Sequence, residues 1–281
     1  MAKIMDGKLV SAKLKEDIKA EIESMKKEGK QTPGLAVIIV GEDSASKVYV
    51  RNKKQDCAEV GIYHEEYAIP ENTTEQELIE LVKKLNAKED IHGILVQSPL
   101  PKQIAENTVV ENISPKKDVD AFHPENVGRI TIGRYNFLPG TPAGIMELLK
   151  YYGIDPSGKE CVVVGRSNIV GKPMALMLLQ SNATVTICHS RTVDLANITK
   201  RADILIVAIR QRQFITADMV KEGAVVVDVG IHKKEDGKLC GDVDFESVEK
   251  IASYITPVPG GVGPMTRTML LKNTLTAAKQ K

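Results

Sequence analysis

Hydrophobic positions along this chain recur in two different periods, and the period switches repeatedly. Leu14, Ile18, Ile22 and Met25 fall at helical spacing, which predicts a first amphipathic helix closed by Gly29 and Pro33-Gly34. Leu35 to Val40 is a continuous apolar, β-branched run and predicts a buried strand. Ser44 to Val60 predicts a helix and Tyr63 to Ile69 a strand. Leu78, Leu81, Val82 and Leu85 mark another helix, and Ile91 to Val96 another strand, stopped by Pro99-Leu100-Pro101. Further on, strands are predicted at 161–164, 183–188, 203–209 and 224–229, with a buried helix from Met174 to Leu179 and a last helix from Pro264 onward. Alternation of this kind predicts an α/β protein with mainly parallel sheets. Residues 111–142, rich in Pro, Asp, Asn and Gly, predict a long connection and a domain boundary.

The turn between the strand at 161–164 and the helix that follows carries the first chemical signal. Gly165 ends the strand and Gly171 opens the helix, so backbone N–H groups and the helix dipole converge where a phosphate could be held. The spacing departs from Gly-x-Gly-x-x-Gly, because Ser167 stands where the second glycine would be. Serine is still small, and its hydroxyl can donate to a phosphate oxygen. After the next strand comes His189-Ser190-Arg191-Thr192, where an NAD-binding Rossmann-like fold would carry an acid for the ribose. Ser190 and Arg191 there, with Arg166 in the glycine turn, favour a 2′-phosphate, which a guanidinium pairs bidentately. The expected cofactor is therefore NADP. Taken singly, each arginine would read as a solvated surface charge.

Length and composition set the bounds. A chain of 281 residues predicts one large or two ordinary domains. Charge is balanced, 38 basic residues against 37 acidic, and tryptophan is absent, so no nucleic-acid partner is expected. No apolar run approaches the roughly 20 residues of a membrane span, and MAKIMDGKLV lacks the apolar core of a signal peptide. Cys57, Cys161, Cys188 and Cys240 are far apart and read as reduced, buried thiols of a cytoplasmic protein. His64, His92, His123, His189 and His232 show no ligand spacing, so no metal is expected.

Tyr49 and Lys53 lie four apart, on one face of the helix predicted over 44–60. Such a pair also occurs in short-chain dehydrogenases, but there it follows the nucleotide domain, and here it precedes the glycine turn by over a hundred residues. Another family fits nearly the whole chain. GEDSASKVYVRNKKQDCAEVGI, GILVQSPLP, PKKDVDAFHPENVGR, GTPAGI, VVVGRSNIVGKP, CHSRT and ITPVPGGVGPMT, in that order, resemble the bifunctional methylenetetrahydrofolate dehydrogenase/cyclohydrolase. The final PVPGGVGPMT is the most specific of these.

That resemblance implies two α/β domains with a cleft between them, the second a Rossmann-like doubly wound parallel sheet. It places a folate-binding catalytic domain over 1–137, rejoined by a C-terminal helix 265–281, and an NADP-binding domain over 138–264. It implies a homodimer through the nucleotide domains and a reaction of one-carbon metabolism: 5,10-methylenetetrahydrofolate is oxidised with NADP, and the methenyl product is hydrolysed to 10-formyltetrahydrofolate. The catalytic positions it implies are Lys53, Tyr49 and Gln97, and the substrate positions Tyr49, Asp120, Gly260 and Gly261. Its cofactor positions are Gly165, Arg166, Ser167, Ile169, Gly171, Ser190, Arg191 and Ile231. Asp120 suits the 2-amino and ring N–H of a pterin, although in KKDVD it also reads as a turn residue. Gln97, at a strand end before a proline, can hold a lysine or a water. The glycines of 257–263 permit close approach to a ligand and serve equally in an interdomain turn.

The chain departs from the family pattern at Ser98, Ala121 and Gly140, where a large apolar residue, a glycine and a cysteine are usual. It departs further at Ile209-Arg210-Gln211-Arg212, where a Val-Gly-Lys-Pro-like turn is usual. Arginines at that cofactor edge bear on cofactor affinity, and two further readings stand beside the bifunctional one: a chain that is mainly a cyclohydrolase with weak or structural dinucleotide binding, and an NADP-responsive binding protein. Intact Lys53 and Gln97 argue against the second.

Overall fold

The computed structural model describes residues 1–280. Lys3–Ile4 (β1) opens the chain, followed by Gly7–Lys27 (α1), Gly34–Val40 (β2), Ser44–Val60 (α2), Tyr63–Ile69 (β3), Glu75–Ala87 (α3) and Gly93–Val96 (β4). Helices Glu106–Asn112 (α4), Pro124–Thr131 (α5) and Gly140–Tyr151 (α6) come next. Glu160–Val164 (β5), Gly171–Gln180 (α7), Thr184–Cys188 (β6), Leu195–Thr199 (α8) and Ile204–Val207 (β7) follow. Val225–Asp228 (β8), His232–Lys233 (β9), Leu239–Cys240 (β10), Phe245–Val248 (α9), Tyr254–Ile255 (β11) and Val262–Lys279 (α10) complete the order. The helix expected over 265–281 is α10; Lys281 lies outside the described residues.

The chain divides into two compact units, one formed by Lys13–Pro139 with the chain from Arg267 on, the other by Met1–Ala12 with Gly140–Thr266. The smaller sheet has the order β3-β2-β4, all parallel. Its central strand β2 is buried along its whole length, as its unbroken apolar run requires. Ala36, Ile38 and Val40 pack with Leu78, Val82 and Leu85 of α3 and with Ile94, Val109 and Ile113. A capping box starts α3: Thr74 Oγ1 accepts from the Glu77 N–H, and Glu77 Oε2 accepts from the Thr74 N–H. Beyond β4 the sheet continues, because the Ile94 N–H donates to Lys117 O and Ile94 bridges Asp118 in parallel.

The second sheet has six strands in the order β1-β11-β8-β7-β5-β6, every pair parallel. β5 has β6 on one side and β7 on the other, so the winding reverses there, as in a doubly wound Rossmann-like sheet. Val162, Val164, Leu205, Val207, Val226 and Ile255 fill its core. β9 and β10 form a short antiparallel hairpin.

Three differences from the sequence expectation bear on the domains. Residues 1–12, expected with the first domain, belong to the six-stranded unit, where β1 pairs with β11 and the Met5 N–H donates to Ile255 O at 2.8 Å. A two-residue strand is too short to leave a periodic signal. The connection expected over 111–142 contains α5, whose only buried side chains are Asn126 and Ile130 and whose start is capped by His123 Nδ1 on the Glu125 N–H. α6, by contrast, buries Pro142, Ala143, Ile145, Leu148 and Leu149, so no amphipathic stripe marks it.

Candidate active site

Within the three-stranded unit, Lys53 and Gln97 meet at the carboxyl end of the sheet. α2 starts where Asp43 Oδ1 accepts from the Ser46 N–H at 2.7 Å and ends at Gly61 in the left-handed region. Tyr49 and Lys53 share one face of this helix. The Lys53 ammonium donates to Gln97 Oε1 at 2.7 Å. Gln97 sits just past β4, fixed by its N–H to Ile38 O at 2.8 Å and by its side-chain amide to Ser98 O at 2.6 Å. Its amide orientation is therefore set: Nε2 turns away and Oε1 faces the lysine.

Asp120 follows the strand extension beside β4. Two groups hold the loop that presents it. Asn273 of α10 donates to Val119 O and Leu138 O at 2.7 and 2.8 Å. Asp118 Oδ2 accepts from the His123 N–H and from Asn126 Nδ2, both at 2.8 Å. The Asp120 carboxylate itself accepts no hydrogen bond from the described residues, although it is partly buried. Burial raises this carboxyl to about 6, opposed by the positive charge of Lys53 and reinforced by Asp118. Burial likewise lowers Lys53, with Asp120 and Cys57 pulling upward and the cation of Arg267 pulling further down. Both groups thus lean toward their neutral forms, and an open acceptor lies within electrostatic reach of an amine. Tyr49 is 45% exposed, leaving a ring face free for a flat ligand.

In the six-stranded unit every expected cofactor residue lies past the carboxyl end of a parallel strand, on one edge of the sheet. Gly165, Arg166, Ser167, Ile169 and Gly171 follow β5, Ser190 and Arg191 follow β6, and Ile231 follows β8. A Cβ on Gly171 would lie 2.2 Å from Gly165 O, and one on Gly165 would lie 2.3 Å from Ala208 O. These two positions accept nothing larger. Ser167 Oγ accepts from the N–H groups of Val170 and Gly171 at 3.2 and 3.3 Å, and so caps α7. Its own O–H remains to donate outward. The Gly165 N–H donates to Cys188 O at 2.8 Å, tying the glycine turn to the end of β6. There His189 N–H to Thr192 Oγ1 and Arg191 N–H to His189 Nδ1 close a compact turn with Ser190 and Arg191 outward. Arg166 is exposed too, and Ile169 and Ile231 are 42% and 52% exposed. Gly260 and Gly261 are buried instead, with Gly260 O accepting from the Gly7 and Lys8 N–H groups.

Comparison with known proteins gives this arrangement a family. Residues 5–120 match the catalytic domain, and 139–281 the NAD(P)-binding domain, of tetrahydrofolate dehydrogenase/cyclohydrolase. The chain belongs to the tetrahydrofolate dehydrogenase/cyclohydrolase family. A relative from Acetivibrio thermocellus, bifunctional protein FolD, is 61% identical over 99% of this chain and 97% of its own. A crystal structure of the bifunctional FolD enzyme from Campylobacter jejuni superposes with a TM-score of 0.98 at 51% identity, covering 100% of this chain and 99% of that one. The Trypanosoma brucei FolD, solved with NADP cofactor and inhibitor, gives 0.94 at 39% identity over 99% and 98% of the two chains.

This dehydrogenase/cyclohydrolase carries two further clusters that sequence reasoning missed. The loop past β7 is clamped by Asp242, whose Oδ2 accepts from the Ile209 and Arg210 N–H groups at 2.8 and 3.1 Å and whose Oδ1 accepts from Gln211 N–H at 2.8 Å. His232 Nε2 lies 2.8 Å from the same Oδ1. Asp228 holds Asp242 in turn, accepting from its N–H at 2.9 Å, and burial raises Asp228 to about 6. Arg210 is forced to a φ of 57°, where glycine would be at ease. Each acid adjoins or nears a glycine, Asp228-Val-Gly230 and Gly241-Asp242, and that was the available signal. The second cluster, Asp56 with Lys15 and Arg267, joins three distant stretches and leaves no local signal. No group of three or more His, Cys, Asp or Glu able to hold a metal occurs among the described residues, and no described helix is long and apolar enough to cross a membrane.

Proposed function

We propose that this chain oxidises 5,10-methylenetetrahydrofolate with NADP and hydrolyses the 5,10-methenyl product to 10-formyltetrahydrofolate. The observation that carries the proposal is the amine of Lys53 held by Gln97 Oε1 at 2.7 Å, with the open Asp120 carboxylate in the same unit. Asp120 accepts two hydrogen bonds from the 2-amino group and ring N–H of the pterin, the pairing a carboxylate makes with any guanidinium-like edge. Tyr49 covers a face of the folate. Lys53, kept toward its neutral form, takes a proton from water as the oxygen bonds to the methenyl carbon. The carbon–N5 bond then breaks and N5 takes up a proton, so the reaction releases one proton overall. Gln97 keeps the amine aimed throughout. The positive charge of the methenyl substrate beside Lys53 favours the same neutral amine.

The residues past β5 and β6 fit a dinucleotide phosphate: two glycines that admit only backbone, a serine hydroxyl free to donate, and exposed Arg166 and Arg191. NADP, when bound, supplies the hydride acceptor for the oxidative step. Arg166, Ser190 and Arg191 bind its 2′-phosphate, and Ile169 and Ile231 offer apolar contact. The protein works in the cytoplasm, in keeping with four buried free cysteines. It pairs as a homodimer through the six-stranded unit, whose edge strand β6 leaves Ile187 41% exposed. Mixing the protein with methylenetetrahydrofolate and NADP, and following NADPH and methenyl absorbance together, tests the activity. Absence of both signals at micromolar enzyme refutes it.

A further inference from the structure

Asp56 lies three residues beyond Lys53 on α2, hence on the neighbouring position of the same helix face. Its side chain is only 7% exposed and is flanked by two cations from other elements. Lys15 of α1 reaches Oδ1 at 2.5 Å, and Arg267 of α10 brings Nε to 2.8 Å from Oδ2. The second contact is an ion pair without hydrogen-bond alignment, since neither Arg267 Nε nor Asp56 Oδ2 has a hydrogen-bond partner. Lys15 is raised by these acids despite its own burial, and it also reaches Glu59 at 2.7 Å. The cluster therefore holds Arg267, itself 30% exposed, against the helix that carries Lys53.

We propose that Arg267, anchored by Asp56, is a positioning residue for the hydrolytic step: its fixed charge opposes protonation of the Lys53 amine. The proposal rests on the assignment of Lys53 as base. The groups facing that amine come from four elements. On α2 they are Tyr49, Cys57, whose thiol is pushed by burial up to about 12 and so uncharged, and, one turn on, Asp56, whose charge is matched by Lys15 and Arg267. At the end of β4 stands Gln97, and in the loop beyond the strand extension stands Asp120. Arg267 is the cation on the α10 side, and it acts against the pull of Asp120. A methenyl cation supplies a similar push only while it is bound. Arg267 supplies it permanently, so the amine is ready before the substrate arrives. Asp56 is needed because an unanchored guanidinium would turn toward solvent, and Lys15 balances the buried acid when Arg267 is absent.

The test is the pH profile of kcat for methenyltetrahydrofolate hydrolysis by the full-length protein, corrected for the uncatalysed reaction. Wild type is compared with Arg267→Gln and Arg267→Lys. In Arg267→Gln the acid limb should move to higher pH. Its rate relative to wild type should fall roughly tenfold from the alkaline plateau to the acid limb, as loss of one partly screened unit charge near the amine requires. Arg267→Lys keeps the charge and should restore the wild-type limb, which a loss of packing would not explain. An Arg267→Gln profile parallel to wild type, or shifted to lower pH, overturns the proposal, whatever its plateau. If the wild-type chain hydrolyses no methenyltetrahydrofolate, or Lys53→Met hydrolyses it normally, the functional assignment fails instead.

Discussion

Replacing Asp120 by Asn keeps the volume of the side chain and removes its charge. In the native chain burial raises this carboxyl from 3.8 to about 6. Between these two values the folded state keeps a proton that the unfolded chain has released. Stability therefore falls as pH rises through that window, and the loss is complete above it. Two units would amount to about 3 kcal/mol without screening, and about 1–2 kcal/mol is expected for a group that keeps part of its surface in water. Asparagine cannot ionise and escapes this loss. Calorimetry should show Asp120→Asn melting a few degrees above wild type near pH 7.5 and level with it near pH 4. Folate binding should move the opposite way. An amide offers the pterin one acceptor and one ill-placed donor, so affinity should drop by about 2–5 kcal/mol, or some 30- to several-thousandfold. NADP affinity should stay within about twofold. A variant that is less stable near pH 7.5, or that binds both ligands equally weakly, would make Asp120 a structural turn residue and refute the pterin assignment.

Lys53→Met should lower the hydrolytic rate by about 10²–10⁴, the range for loss of a positioned base, with NADP affinity unchanged in a direct titration. Retained cyclohydrolase turnover would remove the lysine from the mechanism. Arg191→Ala should weaken NADP more than NAD, and the difference should shrink as salt rises. Equal affinity of the native protein for the two cofactors would dispose of an NADP-selecting pocket. Arg210→Gly relieves a left-handed φ and should stabilise the protein by about 1 kcal/mol in urea melts. If Arg210 also touches the cofactor, the salt dependence of NADP binding becomes shallower in this variant, whereas an unchanged slope leaves it on the rim.

Much of the fold was legible because its core strands are unbroken apolar runs. Leu35 to Val40 and Cys161 to Val164 could only be buried strands, and both are buried throughout. The glycine turn was legible for the same kind of reason, since Gly165 and Gly171 leave no room for a Cβ. What escaped was structure held by single polar contacts or by uniform burial. α5 rests on a histidine cap and two buried side chains, and α6 is apolar on nearly every face. At the site, Tyr49 and Lys53 were visible as a helical pair, but the partner that aims the amine, Gln97, lies 44 residues away. The Asp242 clamp and the Asp56 cluster are long-range in the same sense. No periodicity reports a carboxylate that folds back onto three backbone amides.

The two units solve one geometric problem with opposite electrostatics. In each, the strand that follows in sequence (β3 or β6) pairs on one side of a parallel strand and the one after it (β4 or β7) on the other, so the winding reverses and opens a crevice at the carboxyl end. β5 fills that position with a glycine turn, a capped helix start and exposed arginines, all of which favour an anion. β2 and β4 instead frame an amine and a carboxyl that burial drives toward neutrality. An amine held near neutrality can take a proton. A carboxyl raised to about 6 ionises more readily when a pair of N–H donors approaches, so the ligand's hydrogen bonds stabilise the charge that makes the pair worthwhile. Neither group is useful in water, where the lysine would stay protonated and the acid solvated. Burial, the loop held by Asp118 and Asn273, and the charge of Arg267 are what separate these two side chains from ordinary surface residues.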